Sequence, residues 1–263
     1  MSHKSWAQSL KALGIHHFVD KLQNGEPFSF ARYGDGEWFT IFGGRYIGMH
    51  NSNGCTFTTH LSDCLRQVLD DQNPYMHATL RIAHRKLGDR IGGFLEHRGV
   101  ALRWYRGDVL LDQSLKGNLW PLVRELQKKR ILFVGPNHLR GIDEMFFQYV
   151  DFINPPKRNA IMSRHILVPA ILRSIKDKKI DVVAWCCGLH TKVFINDIWK
   201  EYGDRITQID FGSMFDGYFA VGSRSYVRRG LILWNDLQQV NGGHRERRAG
   251  ETFRRGEVGT IKA

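Results

Sequence analysis

This sequence predicts an α/β protein with a mostly parallel sheet covered by helices on both faces, and two observations carry that expectation. From Leu119 onward, short apolar runs alternate with amphipathic stretches of helical period, the pattern of repeated strand, helix, strand units. Glycine-bearing motifs fall where predicted strands end, and in such sheets ligands bind at the carboxyl ends of the strands.

Taken in order, Leu10, Leu13, Phe18 and Leu22 recur at near-helical spacing, so one helix is expected from Trp6 to Leu22, stopped by Asn24-Gly25-Glu26-Pro27. Phe28-Ser29-Phe30-Ala31 reads as a buried strand, with aromatics alternating with small residues ahead of a glycine-rich break. Leu61, Leu65, Val68 and Leu69 mark a helix that ends in Asp70-Asp71-Gln72-Asn73-Pro74. Between Thr79 and Trp104 the chain is rich in Arg and His and supports no assignment. Regularity returns with a helix through Leu122, Val123 and Leu126, a strand at Ile131-Leu132-Phe133-Val134 and a helix through Ile142, Met145, Phe146 and Tyr149. A strand near Phe152-Ile153, a helix from Ile166 to Ile175, a strand over residues 181–185, a helix through Val193, Phe194 and Ile198 and a strand over residues 206–210 complete the series.

With 263 residues, 42% hydrophobic and 24% charged, the chain has the balance of a globular protein. We expect a single domain over residues 1–240 and a basic, flexible tail over residues 241–263, where Gly, Arg and Glu replace large apolar residues. No apolar run approaches the roughly 20 residues that span a bilayer, and the N-terminal segment lacks a secretory signal. No stable membrane insertion and a cytoplasmic location are therefore expected. Cys55, Cys64, Cys186 and Cys187 lack CxxC spacing, so reduced thiols are expected. The formal charge of +12 favours a polyanionic partner. The tail holds only six Lys and Arg against three Glu, so most of that charge belongs to the body.

The chemistry concentrates first in Arg32-Tyr33-Gly34-Asp35-Gly36-Glu37. Asp35 and Glu37, one glycine apart at a strand end, could aim two carboxylates at one hard cation, Mn2+ or Mg2+. Gly34 and Gly36 allow close approach of backbone and phosphate, and Arg32 could add a charged hydrogen bond to the same phosphates. The same Gly-Asp-Gly run also suits an ordinary turn. Gly135-Pro136-Asn137-His138 sits between a predicted strand and a helix, where backbone amides meet phosphate or a nucleobase. It lacks the GxGxxG fingerprint of dehydrogenase-type dinucleotide sites. His165 and His190 read as caps or surface residues, and nothing near Cys186-Cys187 argues for a thiol nucleophile.

The stretch Phe28 to Glu37 resembles the signature of the GT-D-fold glycosyltransferases, a bacterial and phage group with a Rossmann-like core and an Asp-x-Glu metal motif. Ile131 to His138 resembles that family's second strand and nucleotide-binding turn, Pro156-Lys157-Arg158-Asn159-Ala160 a following segment, and Ile209 to Asp216 its late strand and acidic loop. In order and spacing the resemblance covers roughly residues 25–225. It implies a nucleotide-sugar donor, UDP-linked, held with a divalent metal at Asp35 and Glu37 and contacted at Arg32, Gly34, Gly36 and Gly135 to His138. By motif order it implies Asp216 as general base, with Asp210 beside it. The better-known members carry several acidic residues in that loop, where this chain has only Asp210 and Asp216.

The acceptor is read from charge. Arg224, Tyr226, Arg228 and Arg229 pair cations with an aromatic near the C-terminus, a combination that suits a nucleic-acid backbone with an exposed base. A hydroxylated pyrimidine base in DNA is therefore the expected acceptor, flipped out to meet the donor. A bacterial surface glycan or glycoprotein is the rival acceptor, and a non-catalytic nucleic-acid-binding protein is the rival of another class.

Overall fold

The computed structural model describes residues 6–51, 54–116 and 118–219. Its helices are α1 (Trp6–Ser9), α2 (Ile15–Gln23), α3 (Asp35–Phe42), α4 (Thr59–Asp70), α5 (Arg81–His97), α6 (Val109–Leu115), α7 (Trp120–Leu126), α8 (Ile142–Met145), α9 (Arg164–Asp177) and α10 (Thr191–Tyr202). The strands are β1 (Ser29–Tyr33), β2 (Met76–Thr79), β3 (Trp104–Arg106), β4 (Ile131–Val134), β5 (Asp151–Ile153), β6 (Val182–Trp185) and β7 (Thr207–Asp210). All pair in parallel, in the order β3-β2-β1-β7-β6-β4-β5. The predicted fold class is the observed one.

Successive strand residues point to opposite faces, and both faces are covered. Phe30, Ile131, Phe133, Val182, Ala184 and Ile209 pack with α2, α6, α7 and α8. Ala31, Tyr33, Leu132, Val134, Val183 and Trp185 pack with α3, α4, α5, α9 and α10. Burial on two faces explains why β4 and β6 are uninterrupted apolar runs. The register sets Trp185 level with both Asp210 and Val134, while Phe30 pairs with Ile209. The carboxyl ends of β1, β7, β6 and β4 therefore lie side by side at mid-sheet, where the strand order reverses.

Several local expectations are corrected. The single helix over residues 6–22 is two, because the backbone of Lys11 pairs with β3: its N–H donates to the Trp104 carbonyl at 3.0 Å and its carbonyl accepts from Arg106 N–H at 3.0 Å. Edge-strand hydrogen bonds outweigh a continuous helix there. The unassigned stretch contains α5, flanked by β2 and β3. The helix expected to reach Tyr149 stops at Met145, and Phe146 and Phe147 turn inward against Phe215 at ring-centroid distances of 5.3 and 6.1 Å. A further helix, α3, follows β1 directly, so the acidic motif lies in a helical first turn rather than an open loop. Among the described residues no helix is long and apolar enough to cross a membrane. The expected tail lies outside the described residues.

Candidate functional site

The inner strand β1 delivers Arg32 and Tyr33 to the carboxyl end of the sheet, and the chain turns at Gly34 into α3. Asp35 and Glu37 thus sit at a helix N-terminus, where negative charge is favoured. Glu37 Oε2 accepts the Gly34 N–H at 2.9 Å, the reciprocal half of a capping box. Gly36 packs closely against Leu189: a Cβ there would stand 2.9 Å from Leu189 Cδ2 and require that side chain to shift. Asp35 Oδ1 accepts the Gly36 N–H at 3.1 Å, and Lys86 Nζ stands 3.8 Å from Oδ2. The two carboxylates differ sharply in access, the Asp35 side chain being 35% exposed and that of Glu37 9%.

Beneath them lies a buried charge network. Lys192, in the first turn of α10, directs its ammonium to Glu37 Oε1 at 2.5 Å, Asp210 Oδ2 at 3.1 Å and the Gly188 carbonyl at 3.2 Å. Burial pulls this ammonium toward neutrality, but Asp210 and Glu37 outweigh it and hold its pKa above the usual lysine value. Asp210, at the end of β7 and 1% exposed, also accepts the Arg32 backbone N–H at 3.1 Å on Oδ2 and the Gly212 N–H at 2.9 Å on Oδ1. The Arg32 guanidinium donates to the Phe211 carbonyl at 2.7 Å, while its buried Nε lacks a hydrogen-bond partner among the described residues.

On the β4 side, Gly135 N–H donates to the Ile153 carbonyl at 3.1 Å, and Pro136 leads into a 3-10 turn at Asn137–Leu139. Asn137 Oδ1 accepts from Arg140 Nε at 2.7 Å. His138 Nε2 lies 3.3 Å from Asp216 Oδ1; the His138 side chain is 37% exposed and that of Asp216 8%. Asp216 belongs to the 3-10 turn Met214–Phe219, which follows β7. A third grouping borders Glu37: Cys55 Sγ lies 3.2 Å from His190 Nε2 and 3.6 Å from Asn159 Oδ1. Burial raises the Cys55 pKa and holds the His190 imidazolium down, to a pKa of about 4, so this pair is a neutral thiol and a neutral imidazole. All four cysteines are free.

The structure therefore gathers Arg32, Gly34, Asp35, Gly36, Glu37 and Asp210 at one cluster, with the Gly135 to His138 turn meeting Asp216 on the same edge of the sheet. Arg224, Tyr226, Arg228 and Arg229 lie outside the described residues. Lys192 and His190 were not legible as site residues. The available signal was a lysine in the first turn of an apolar helix, where the macrodipole disfavours a cation unless anions face it. For a divalent metal, Asp35 offers a half-exposed carboxylate. Among the described residues no three His, Cys, Asp or Glu side chains gather as a metal cluster. The donor set fits Mg2+ or Mn2+ in the mode where one or two carboxylates hold the ion and substrate phosphates complete its shell.

No family model and no curated protein matches the chain. Solved structures do resemble it over most of its length. A structure of domain of unknown function 1792 aligns with a TM-score of 0.59 at 16% identity, covering 86% of this chain and 84% of the other. A second, described as this domain having a distinct glycosyltransferase fold, gives 0.57 at 16% identity over 86% and 84%. A third, described as a new glycosyltransferase of this domain from Streptococcus sanguinis, gives 0.56 at 18% identity over 84% and 85%. The architecture of this chain is a glycosyltransferase fold. It is similar to the fold described for domain 1792.

Proposed function

We propose that the chain is a metal-dependent glycosyltransferase that moves a sugar from a UDP-linked donor to a hydroxyl of its acceptor. The observation that carries this reading is the contact between His138 and Asp216 on the same sheet edge as the acidic motif. With Nε2–H donated to Asp216, His138 keeps the Nδ1 lone pair to take the acceptor's hydroxyl proton, and Asp216 orients the ring and stabilises its charge. The base role that motif order gave Asp216 thus passes to the pair. Asp35 would hold a divalent cation, which when bound would neutralise charge on the diphosphate leaving group. Asp210, with both oxygens engaged, acts as a framework carboxylate.

For the acceptor we propose a hydroxylated pyrimidine in DNA. The net charge of +12 supports it, as do exposed Arg85 and Lys86 on α5 and Arg106 at the end of β3, at the carboxyl edge of the sheet. The test is mass spectrometry of nucleosides from DNA carrying hydroxymethylated pyrimidines, after incubation with protein, Mn2+ and a panel of nucleotide sugars. A glycosylated nucleoside is expected; transfer to surface glycan alone would overturn the DNA acceptor. His138→Ala and Asp216→Asn should each lower kcat by roughly 100-fold or more, while UDP with Mn2+ still raises the melting temperature. Full activity in either variant refutes the pair as base.

A further inference from the structure

We propose that Lys192 is the resident cation of this site: it reserves Glu37 as a framework carboxylate and leaves Asp35 as the carboxylate that faces a metal and the donor diphosphate. The proposal rests on the glycosyltransferase reading, and it divides a motif whose two acids were expected to act alike.

An ammonium has three N–H donors. Those of Lys192 meet Glu37 Oε1, Asp210 Oδ2 and the Gly188 carbonyl, at 2.5, 3.1 and 3.2 Å. The side chain is 4% exposed, so no donor remains for a ligand and water does not screen the pairs. Glu37 is equally committed, because its second oxygen accepts the Gly34 N–H that starts α3. Asp210 carries three N–H donors across its two oxygens. Glu37 and Asp210 are balanced by Lys192 and the buried Arg32, so the floor of the site is neutral without an added ion.

A metal bound to Glu37 would need that oxygen stripped of Lys192, leaving two cations in contact in a dry pocket, an arrangement heavily penalised when charges cannot be solvated. Asp35 is less committed: Oδ1 accepts the Gly36 N–H at 3.1 Å, and neither oxygen meets a buried cation. Its nearest cation, Lys86, stands 3.8 Å away with its side chain 58% exposed, and water weakens such a pair. Asp35, the first residue of α3, is therefore the acid that can exchange a loose lysine for a metal, at a helix N-terminus that favours negative charge.

The experiment compares the full-length chain with Asp35→Asn, Glu37→Gln, Lys192→Met and the Glu37→Gln/Lys192→Met double variant. Mn2+ binding in the presence of UDP is read from the loss of the free-ion electron paramagnetic resonance signal at low temperature, and melting temperature is read separately. Asp35→Asn should weaken Mn2+ binding by roughly tenfold or more and leave the melting temperature near that of the parent. Glu37→Gln and Lys192→Met should each lower the melting temperature by several degrees. The folded Glu37→Gln protein should keep Mn2+ affinity within about threefold, and Lys192→Met, which frees Glu37 rather than removing a ligand, should not weaken Mn2+ binding. The double variant should lose less than the two single losses added, the sign of a direct pair.

Glu37→Gln weakening Mn2+ binding as much as Asp35→Asn would overturn the proposal, as would additive thermal losses. Failure of the donor reading has a different signature: no response of the parent protein to UDP, with or without Mn2+. That result would overturn the Asp35 assignment and leave the Lys192 pairing to be judged by the thermal cycle.

Discussion

Arg32 and Gly212 show how tightly single residues are fitted at this site. The Arg32 guanidinium crosses from β1 to the turn after β7 and donates to the Phe211 carbonyl at 2.7 Å. Gly212, the next residue, has φ of +57° and no room, since a Cβ would stand 2.2 Å from Arg32 Nη2. Gly212→Ala therefore meets two costs at once. A left-handed backbone costs a non-glycine residue about 1–2 kcal/mol, and overpacking a filled core adds about 1–3 kcal/mol. Urea denaturation should register a loss of roughly 3 kcal/mol; a variant as stable as the parent would show that Arg32 is free to swing away.

At the scale of elements, α3 carries Asp35 and is pinned at both ends. Glu37 closes its N-terminus, and Arg66 of α4 closes its C-terminus, donating from Nε to the Ile41 carbonyl at 2.7 Å and from Nη2 to the Phe42 carbonyl at 3.2 Å. A cation at a helix C-terminus satisfies orphan carbonyls and complements the dipole. Arg66→Met removes both effects while keeping much of the side chain's bulk, so a loss of about 1–2 kcal/mol is expected by chemical denaturation. Hydrogen exchange should quicken at the end of α3 first; uniform quickening across the chain would argue against a local clamp. The same helix marks the limit of what the sequence makes legible. Strands β4 and β6 declare themselves because burial on both faces demands apolar residues throughout. Strand β2 does not, since it places His77 and Thr79 in the core and satisfies them there. The ring of His77 stacks 4.2 Å from Tyr75, with Nε2 3.1 Å from the Asn73 carbonyl. Helix α3 was hidden because Gly-Asp-Gly satisfies turn chemistry equally well. Lys192 was hidden because its partner Glu37 is 155 residues away in sequence, and only the folded sheet brings the two together.

For the molecule as a whole, two buried histidines couple stability to pH. His77 and His190 have pKa values of about 4 in the fold, in each case because burial disfavours the imidazolium. The unfolded chain binds those protons near the ordinary histidine value of about 6.5. Both groups are therefore neutral in either state above that pH, and the fold keeps its full stability there. As pH falls below about 6.5 the unfolded state gains protons that the fold refuses, so stability declines until the folded pKa near 4 is reached. Between pH 7 and pH 5 the loss amounts to roughly 2 kcal/mol per histidine. Lys192 does not offset it, because its raised pKa keeps it charged throughout this window. Equilibrium denaturation at the two pH values should show the loss, and His77→Gln should remove about half of the slope. The slope is also informative about the site, since His190 stands at the entry to α10, two residues before Lys192. A ligand that binds the folded protein beside His190 without protonating it should raise stability at both pH values and leave the slope unchanged. A slope that vanished on adding UDP and Mn2+ would show instead that the ligand admits a proton at His190.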